Sequence, residues 1–290
     1  MSSLQALTAA RSITPEEIRR FDADGVVLLR GAFERRWLDM LRDGIELAMA
    51  NPSPLSKEYG GKDAGRFFGD YNMWKRLNAF EEFTCHSPAG EYAGQLMRSA
   101  HVNLYNEHLL VKEPGSAGAR TPWHQDMPYF RLKGWQMCSV WVPLDSATTD
   151  TGAMSFIRGS HRWGKEFRPM QFRNSQTAET SAEYEDLPDL DSAEYRSAQI
   201  SFDLEPGDCT VHHALTLHSA GGNQSPTLRR RALSIRYTGD DVRWFKRPFS
   251  PEEDNAAYVQ LDKDAGLATG DPLNGPDFPR VWSRGETARR

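Results

Sequence analysis

From about residue 100 onward the chain breaks into short runs of β-favouring residues, and this constrains the fold more than any other feature. Strand-like runs fall at 101–111, 136–144, 153–158, 198–204, 208–213 and 231–238. Turn signals separate them: Glu113-Pro114-Gly115, Asp150-Thr151-Gly152 and Glu205-Pro206-Gly207-Asp208. Glycine and proline supply the backbone angles that tight reversals need, while the runs between them supply residues that suit a pleated, half-buried surface. Many short strands punctuated in this way predict a β-sandwich or barrel.

The front of the chain reads differently. Thr14-Pro15-Glu16-Glu17 is a helix start, with Thr14 as cap, Pro15 at the first helical position and Glu17 closing a capping box. The helix is expected to reach about Phe21. Gly25 to Arg30 is β-rich, and Trp37, Leu38, Leu41, Ile45 and Met49 recur at helical spacing. Residues 51–80 show no clean period and are read as loop with short helices. Residues 88–99 read as helix. Residues 162–197 are polar and charged, as expected of a surface insertion or lid, and the tail after about 250 is rich in Pro, Gly and Asp. The organisation predicted is one domain over 1–290. It has a helical part to about 100, a β core over about 101–245 and an irregular tail. A length of 290 residues at 39% hydrophobic content is compatible with one such domain.

Bulk properties narrow the partners. The net charge is −5, and no dense basic stretch is interleaved with aromatics apart from Arg229-Arg230-Arg231, which argues against nucleic acid. No apolar run approaches the ~18–20 residues that span a bilayer, and the first twelve residues lack the apolar stretch of a secretory signal. Three cysteines, Cys85, Cys138 and Cys209, with no CxxC, suit a reduced cytoplasmic protein. Cys138 and Cys209 lie on predicted strands and are expected to be packing residues. The sequence leaves the oligomeric state open.

The chemistry-bearing segment is Thr121-Pro122-Trp123-His124-Gln125-Asp126. In an extended chain residues i and i+2 share a face, so His124 and Asp126 could present a nitrogen and an oxygen to one metal ion. A second histidine from elsewhere would complete a 2-His-1-carboxylate triad with coordination positions left open. His-x-acid alone is weak evidence. Eight histidines and 40 acidic residues among 290 give about one such match by chance, and one is found. Support comes from Pro206 to Asn223, a turn and strand ending at His218 before a Gly-rich turn. The Arg229–Tyr237 strand follows, and its arginines could clamp a carboxylate bidentately.

These pieces together resemble the phytanoyl-CoA dioxygenase family of iron(II)/2-oxoglutarate oxygenases. The resemblance runs through Ile18–Gly31, Leu110–Gly115, Trp123–Asp126, Val140–Asp145, Thr151–Met154 and Arg158–His161. It continues through Pro206–Asp208, His213-x4-His218 and Gly221-x-Asn223 to the Arg-Ala strand. It implies a mainly β fold, a double-stranded β-helix or jelly roll with flanking α-helices. It implies Fe(II) as cofactor, held by His124, Asp126 and His218, with 2-oxoglutarate and O2 as co-substrates. Arg230 is implied to bind the far carboxylate of 2-oxoglutarate, with Arg229 as competitor, and Trp141 to line that pocket. His108 and Lys112 lie on the strand leading to the metal motif and are candidates to face the site. The implied activity is hydroxylation of a small molecule, coupled to oxidative decarboxylation of 2-oxoglutarate. Related halogenases replace the acidic ligand with a small residue, whereas Asp126 is present here. The segment Trp123–Tyr129 lacks the longer extension associated with ectoine hydroxylases.

Other readings stand beside this one. His212 and His213 are expected to divide between core and solvent, and His161 to be structural. The aromatics at 67–74 are expected mainly in the core. A non-catalytic jelly roll binding a metal or small ligand is one alternative. A zinc-dependent hydrolase is another, although HExxH is absent and structural zinc prefers four Cys/His ligands. GxGxxG, GK[ST] and GxSxG are absent too.

Overall fold

The computed structural model describes residues 11–60, 63–170, 184–190, 192–247 and 266–285. Helix α1 (Pro15–Asp24) begins with the predicted capping box and ends at Gly25, whose φ of 76° is left-handed. A side chain here would also collide, since a Cβ would lie 2.4 Å from both His161 Nδ1 and Thr216 Oγ1. The chain then runs β1 (Val26–Leu29), α2 (Arg35–Ala50), β2 (Lys57–Glu58), β3 (Phe67–Tyr71), α3 (Asn78–His86) and α4 (Ala89–Met97). The β-rich part comprises β4 (His101–Lys112), β5 (Thr121–His124), β6 (Leu132–Lys133), β7 (Met137–Pro143) and β8 (Met154–Ile157). After α5 (Ala193–Arg196) come β9 (Gln199–Ser201), β10 (Cys209–His213), β11 (His218–Ala220), β12 (Arg230–Thr238), β13 (Arg243–Trp244) and β14 (Arg280–Ser283).

Two antiparallel sheets face each other. The major sheet has the order β1-β10-β7-β12-β4-β3-β2, with β14 pairing to β4, and the minor sheet has the order β5-β11-β8-β9. This is the jelly roll expected. Alternation along each major-sheet strand sends one set of side chains to the helices and the other to the space between the sheets. Leu104, Leu109, Val140, Val211, Leu233 and Ile235 pack against Phe21, Leu41, Phe80 and Tyr92 in the largest core cluster. Burying large apolar side chains of this kind is worth about 1.5–3 kcal/mol each. Between the sheets the apolar content is thinner, including Val26, Trp141, Phe156 and Ala232. The remaining room there is the cavity.

Four expectations need correction. Helix α1 runs to Asp24, one turn beyond Phe21. Phe67–Tyr71 is a strand, not loop. All five residues are buried because β3 is covered on both faces, which erases the alternation that would have revealed it. The tail is not wholly irregular, since Arg280–Ser283 adds strand β14 to β4. The segment ending at His218 is not one strand. β10 ends at His213 in the major sheet, the chain turns, and His218 opens β11 in the minor sheet. Of the predicted insertion, residues 171–183 and 191 lie outside those described. Its flanks pack inward, with Phe167 and Leu190 buried beside Ile157 and Leu217.

Candidate metal and co-substrate site

His124 ends β5 and His218 begins β11, and the two residues are direct antiparallel partners in the minor sheet. Their ring centroids lie 4.1 Å apart. Asp126 is not on the extended segment that the sequence suggested. Its φ of −72° and ψ of −44° are helical, and it caps a short 3-10 turn over Met127–Tyr129. The chain bends after His124 and returns the carboxylate to the imidazoles by that route instead of by strand alternation. Asp126 Oδ1 stands 3.9 Å from Nε2 of His124 and 3.9 Å from Nε2 of His218. One donor atom from each of the three residues falls within 4.8 Å of the others, and all three residues are buried.

The donor set suits a divalent metal. His124 Nδ1 donates to the Pro122 carbonyl at 2.8 Å and His218 Nδ1 to the Thr216 carbonyl at 2.9 Å. A proton fixed on Nδ1 leaves the lone pair on Nε2, the atom each ring turns toward Asp126. Burial pushes the His124 pKa down to about 4 and the His218 pKa well below its usual value. Both rings are therefore neutral near pH 7. Burial alone would raise the Asp126 pKa, but Arg236, with His212 and His218, outweighs it and holds the carboxyl well below the usual range. Two neutral imidazoles and one carboxylate form a facial triad that leaves coordination positions open.

A cross-strand row of the major sheet supports Asp126. Arg236 on β12 pairs with Ser139 on β7, which pairs with His212 on β10. Ser139 Oγ donates to Asp126 Oδ2 at 2.5 Å, His212 Nε2 lies 3.5 Å from the same oxygen, and Arg236 Nη2 lies 3.4 Å from Oδ1. Arg236 and Ser139 carried no signal in the sequence, because a polar residue on a strand usually faces water and only the register reveals otherwise. His212 was expected to share core and solvent with His213, yet both are buried. His213 donates from Nε2 to the Trp135 carbonyl at 2.7 Å and accepts from Leu215 N at 3.1 Å, a structural pattern. His161 contacts the Asp22 carbonyl through Nε2 at 3.2 Å and is likewise structural.

His124 and His218 open on a cavity lined also by Trp141, Arg230, Ser234 and His108. Arg230 is 1% exposed. Its Nη1 donates to the Leu110 carbonyl at 3.2 Å, its guanidinium carbon stands 5.8 Å from the Trp141 ring centre, and its Nε is buried without a hydrogen bond. Among the described residues no carboxylate pairs with it. Burial lowers its pKa to about 10, so it remains a cation at neutral pH. The neighbouring arginines differ. Arg229 pairs with Glu113 and Glu46, and Arg231 with Asp145 and Glu46. His108 is on the cavity wall, stacked on Tyr71 at 3.9 Å and 3.1 Å from Tyr59 Oη. Tyr71 backs His108 without lining the cavity itself, and Phe68 lies in the main core. Lys112 does not line the cavity. Its ammonium donates to the Gly221 carbonyl and sits 4.7 Å from the Phe67 ring centre, bracing the turn after β11.

A jelly roll with a buried His-Asp-His triad and a buried arginine facing the same cavity defines the class of non-haem iron, 2-oxoglutarate-dependent dioxygenases. The sequence matches the Phytanoyl-CoA dioxygenase (PhyH) family over residues 21–232, and the chain belongs to that family. A probable phytanoyl-CoA dioxygenase of Caenorhabditis elegans is 28% identical over 254 residues, covering 81% of this chain and 78% of the relative. A probable alpha-ketoglutarate-dependent hypophosphite dioxygenase of Stutzerimonas stutzeri is 30% identical over 147 residues, 49% of this chain and 47% of that protein. Among solved structures, the non-haem alpha-ketoglutarate-dependent carbocyclase SnoK from nogalamycin biosynthesis superposes with a TM-score of 0.73. It is 22% identical, over 95% of this chain and 99% of its own. The epimerase SnoN, solved with Fe3+, alpha-ketoglutarate and nogalamycin RO, gives 0.70 at 21% identity, over 92% and 98% of the two chains. At these identities the structural likeness establishes the fold.

Proposed function

We propose that this protein hydroxylates a small-molecule substrate in a reaction coupled to oxidative decarboxylation of 2-oxoglutarate. In this reading His124, Asp126 and His218 hold Fe(II), and Arg230 binds the far carboxylate of 2-oxoglutarate. The observation that carries it is Arg230: a buried cation, with no ion-pair partner among the described residues, lining the cavity that His124 and His218 also line. Burying an unpaired charge is costly, and a guanidinium fork is matched to a carboxylate. A zinc hydrolase has no use for this group, and a structural carboxylate would have been supplied by the chain, as it is for Arg229 and Arg231.

Bound iron supplies the means of activating O2, with 2-oxoglutarate as the electron donor. The chain does the rest. His124 and His218 stay neutral and offer Nε2, because their Nδ1 protons are committed to backbone carbonyls. Asp126 stays ionised. Arg230 and Trp141 orient the co-substrate from the β12 and β7 side, and the surrounding walls keep bulk water from the reacting centre. Asp126 fills the ligand position that halogenases leave small, which favours hydroxylation.

The test is an anaerobic titration of the purified protein with Fe(II) and 2-oxoglutarate, following the weak visible charge-transfer band of the chelated complex. The band is expected in the wild type, absent in His124→Ala and weakened in Arg230→Ala. A folded wild-type protein that gives no band would overturn the assignment.

A further inference from the structure

The two oxygens of Asp126 are treated differently by the protein. Oδ1 faces the Nε2 atoms of His124 and His218 at equal distances of 3.9 Å. Oδ2 faces away, toward the major sheet, where Ser139 Oγ donates to it at 2.5 Å and His212 Nε2 stands 3.5 Å away. His212 is 1% exposed, and neither of its ring nitrogens makes a hydrogen bond in the structure. A buried imidazole with both nitrogens unsatisfied is costly and calls for a reason. Its position supplies one. It shares the cross-strand row with Ser139, and the nearest carboxylate oxygen is the one Ser139 already holds.

From this geometry we infer that Ser139 and His212 are positioning residues that reserve Oδ2 of Asp126 for the protein, so that the carboxylate offers the metal one oxygen and not two. The inference rests on the metal-site reading above. A metal held by one donor atom from each of the three residues would keep positions open for the co-substrate and O2. A carboxylate free to turn could place both oxygens on the metal and take a position that the co-substrate needs. Oδ2 is denied that freedom by the Ser139 hydroxyl on β7 and by the His212 ring packed beside it on β10, neighbouring strands whose register fixes both. Arg236 acts on the other oxygen, 3.4 Å from Oδ1, and so cannot substitute for the pair.

The experiment compares wild type, Ser139→Thr, Ser139→Ala, His212→Leu and the Ser139→Ala/His212→Leu double variant. Two dissociation constants are measured anaerobically: Fe(II) by direct titration, and 2-oxoglutarate on the Fe(II)-loaded protein by its visible band. The double variant is expected to bind 2-oxoglutarate at least tenfold more weakly, with Fe(II) affinity within about threefold of wild type. Ser139→Thr, which keeps the hydroxyl, is expected to retain wild-type values for both. Unchanged 2-oxoglutarate affinity in the double variant would overturn the inference. So would an equal fall in Fe(II) affinity that Ser139→Thr shares, since this would mark a general structural role. Absence of metal binding or of the band in the wild type would instead refute the metal-site reading itself.

Discussion

Arg230→Met is the substitution that tests the site most directly, because the structure sets two opposite expectations for it. Methionine keeps the length and flexibility of the side chain but removes the charge. The fall of the Arg230 pKa from 12.5 to about 10 corresponds to about 3 kcal/mol of disfavour for the charged form in the protein without co-substrate. That disfavour is relieved when a carboxylate arrives. A charge-assisted hydrogen bond is worth about 1.5–3 kcal/mol, and a bidentate pair sits at the upper end, so the variant should lose about 3 kcal/mol of 2-oxoglutarate binding. This is roughly a 100-fold rise in Kd, readable by anaerobic calorimetry on Fe(II)-loaded protein. Without co-substrate the variant should be as stable as wild type or more so, since an apolar side chain replaces a buried cation that has no direct ion pair among the described residues. Urea denaturation checks this. Added 2-oxoglutarate should then stabilise wild type and not the variant. The reasoning fails if Arg230→Met binds 2-oxoglutarate normally, and more pointedly if Arg229→Met is the variant that loses it.

Three further outcomes are expected. His218→Ala should bind Fe(II) at least 100-fold more weakly while keeping its far-ultraviolet circular dichroism, because Phe156 and the β5 and β8 partners still define β11; retained affinity would remove His218 from the ligand set. The metal-free protein should lose stability as pH falls from about 6.5 toward 4. His124 is held down to about 4 and His213 to about 3 by burial, while His108 and His218 are also lowered. The unfolded chain therefore takes up more protons across that window, and denaturation midpoints measured at several pH values should fall with it; a flat profile would contradict the buried neutral rings. Gly25→Ala should cost more than about 1 kcal/mol, from the left-handed backbone and the clash with His161 and Thr216, and equilibrium urea unfolding gives the value.

Much of the site was legible because its signals are local. His124-x-Asp126, the Gly-rich turn after His218 and the arginine run are each contiguous, and the capping box at Thr14 needs only four residues. What escaped depends on partners distant in sequence. Strand β3 hides because both of its faces are covered, so aromatic and glycine residues follow one another without a period. β14 exists only by pairing with β4, some 180 positions earlier. Arg236, Ser139 and His212 become one row only once β12, β7 and β10 are in register. Which of Arg229 and Arg230 is ion-paired likewise needed the sheet. The sequence places two cations side by side, and only the fold decides which is satisfied by Glu113 and Glu46 and which is turned inward. The bend that makes Asp126 helical was also out of reach, since His-x-Asp reads most simply as a strand.

The direct pairing of His124 with His218 has a consequence for how such an enzyme changes. Ninety-four positions separate them along the chain, yet on the ladder they are a single rung. Connecting loops in the stretch between can lengthen, shorten or be exchanged, as long as β5 and β11 still meet in that register and Asp126, Ser139, Trp141 and His212 keep their places. The 162–197 region belongs to that stretch and follows β8 in the chain. Its flanks reach the centre through Gln125, whose side chain accepts from Phe167 N and donates to the carbonyls of Lys165 and Leu215. That region can therefore change on the surface while the pairing that brings His124 and His218 together is kept.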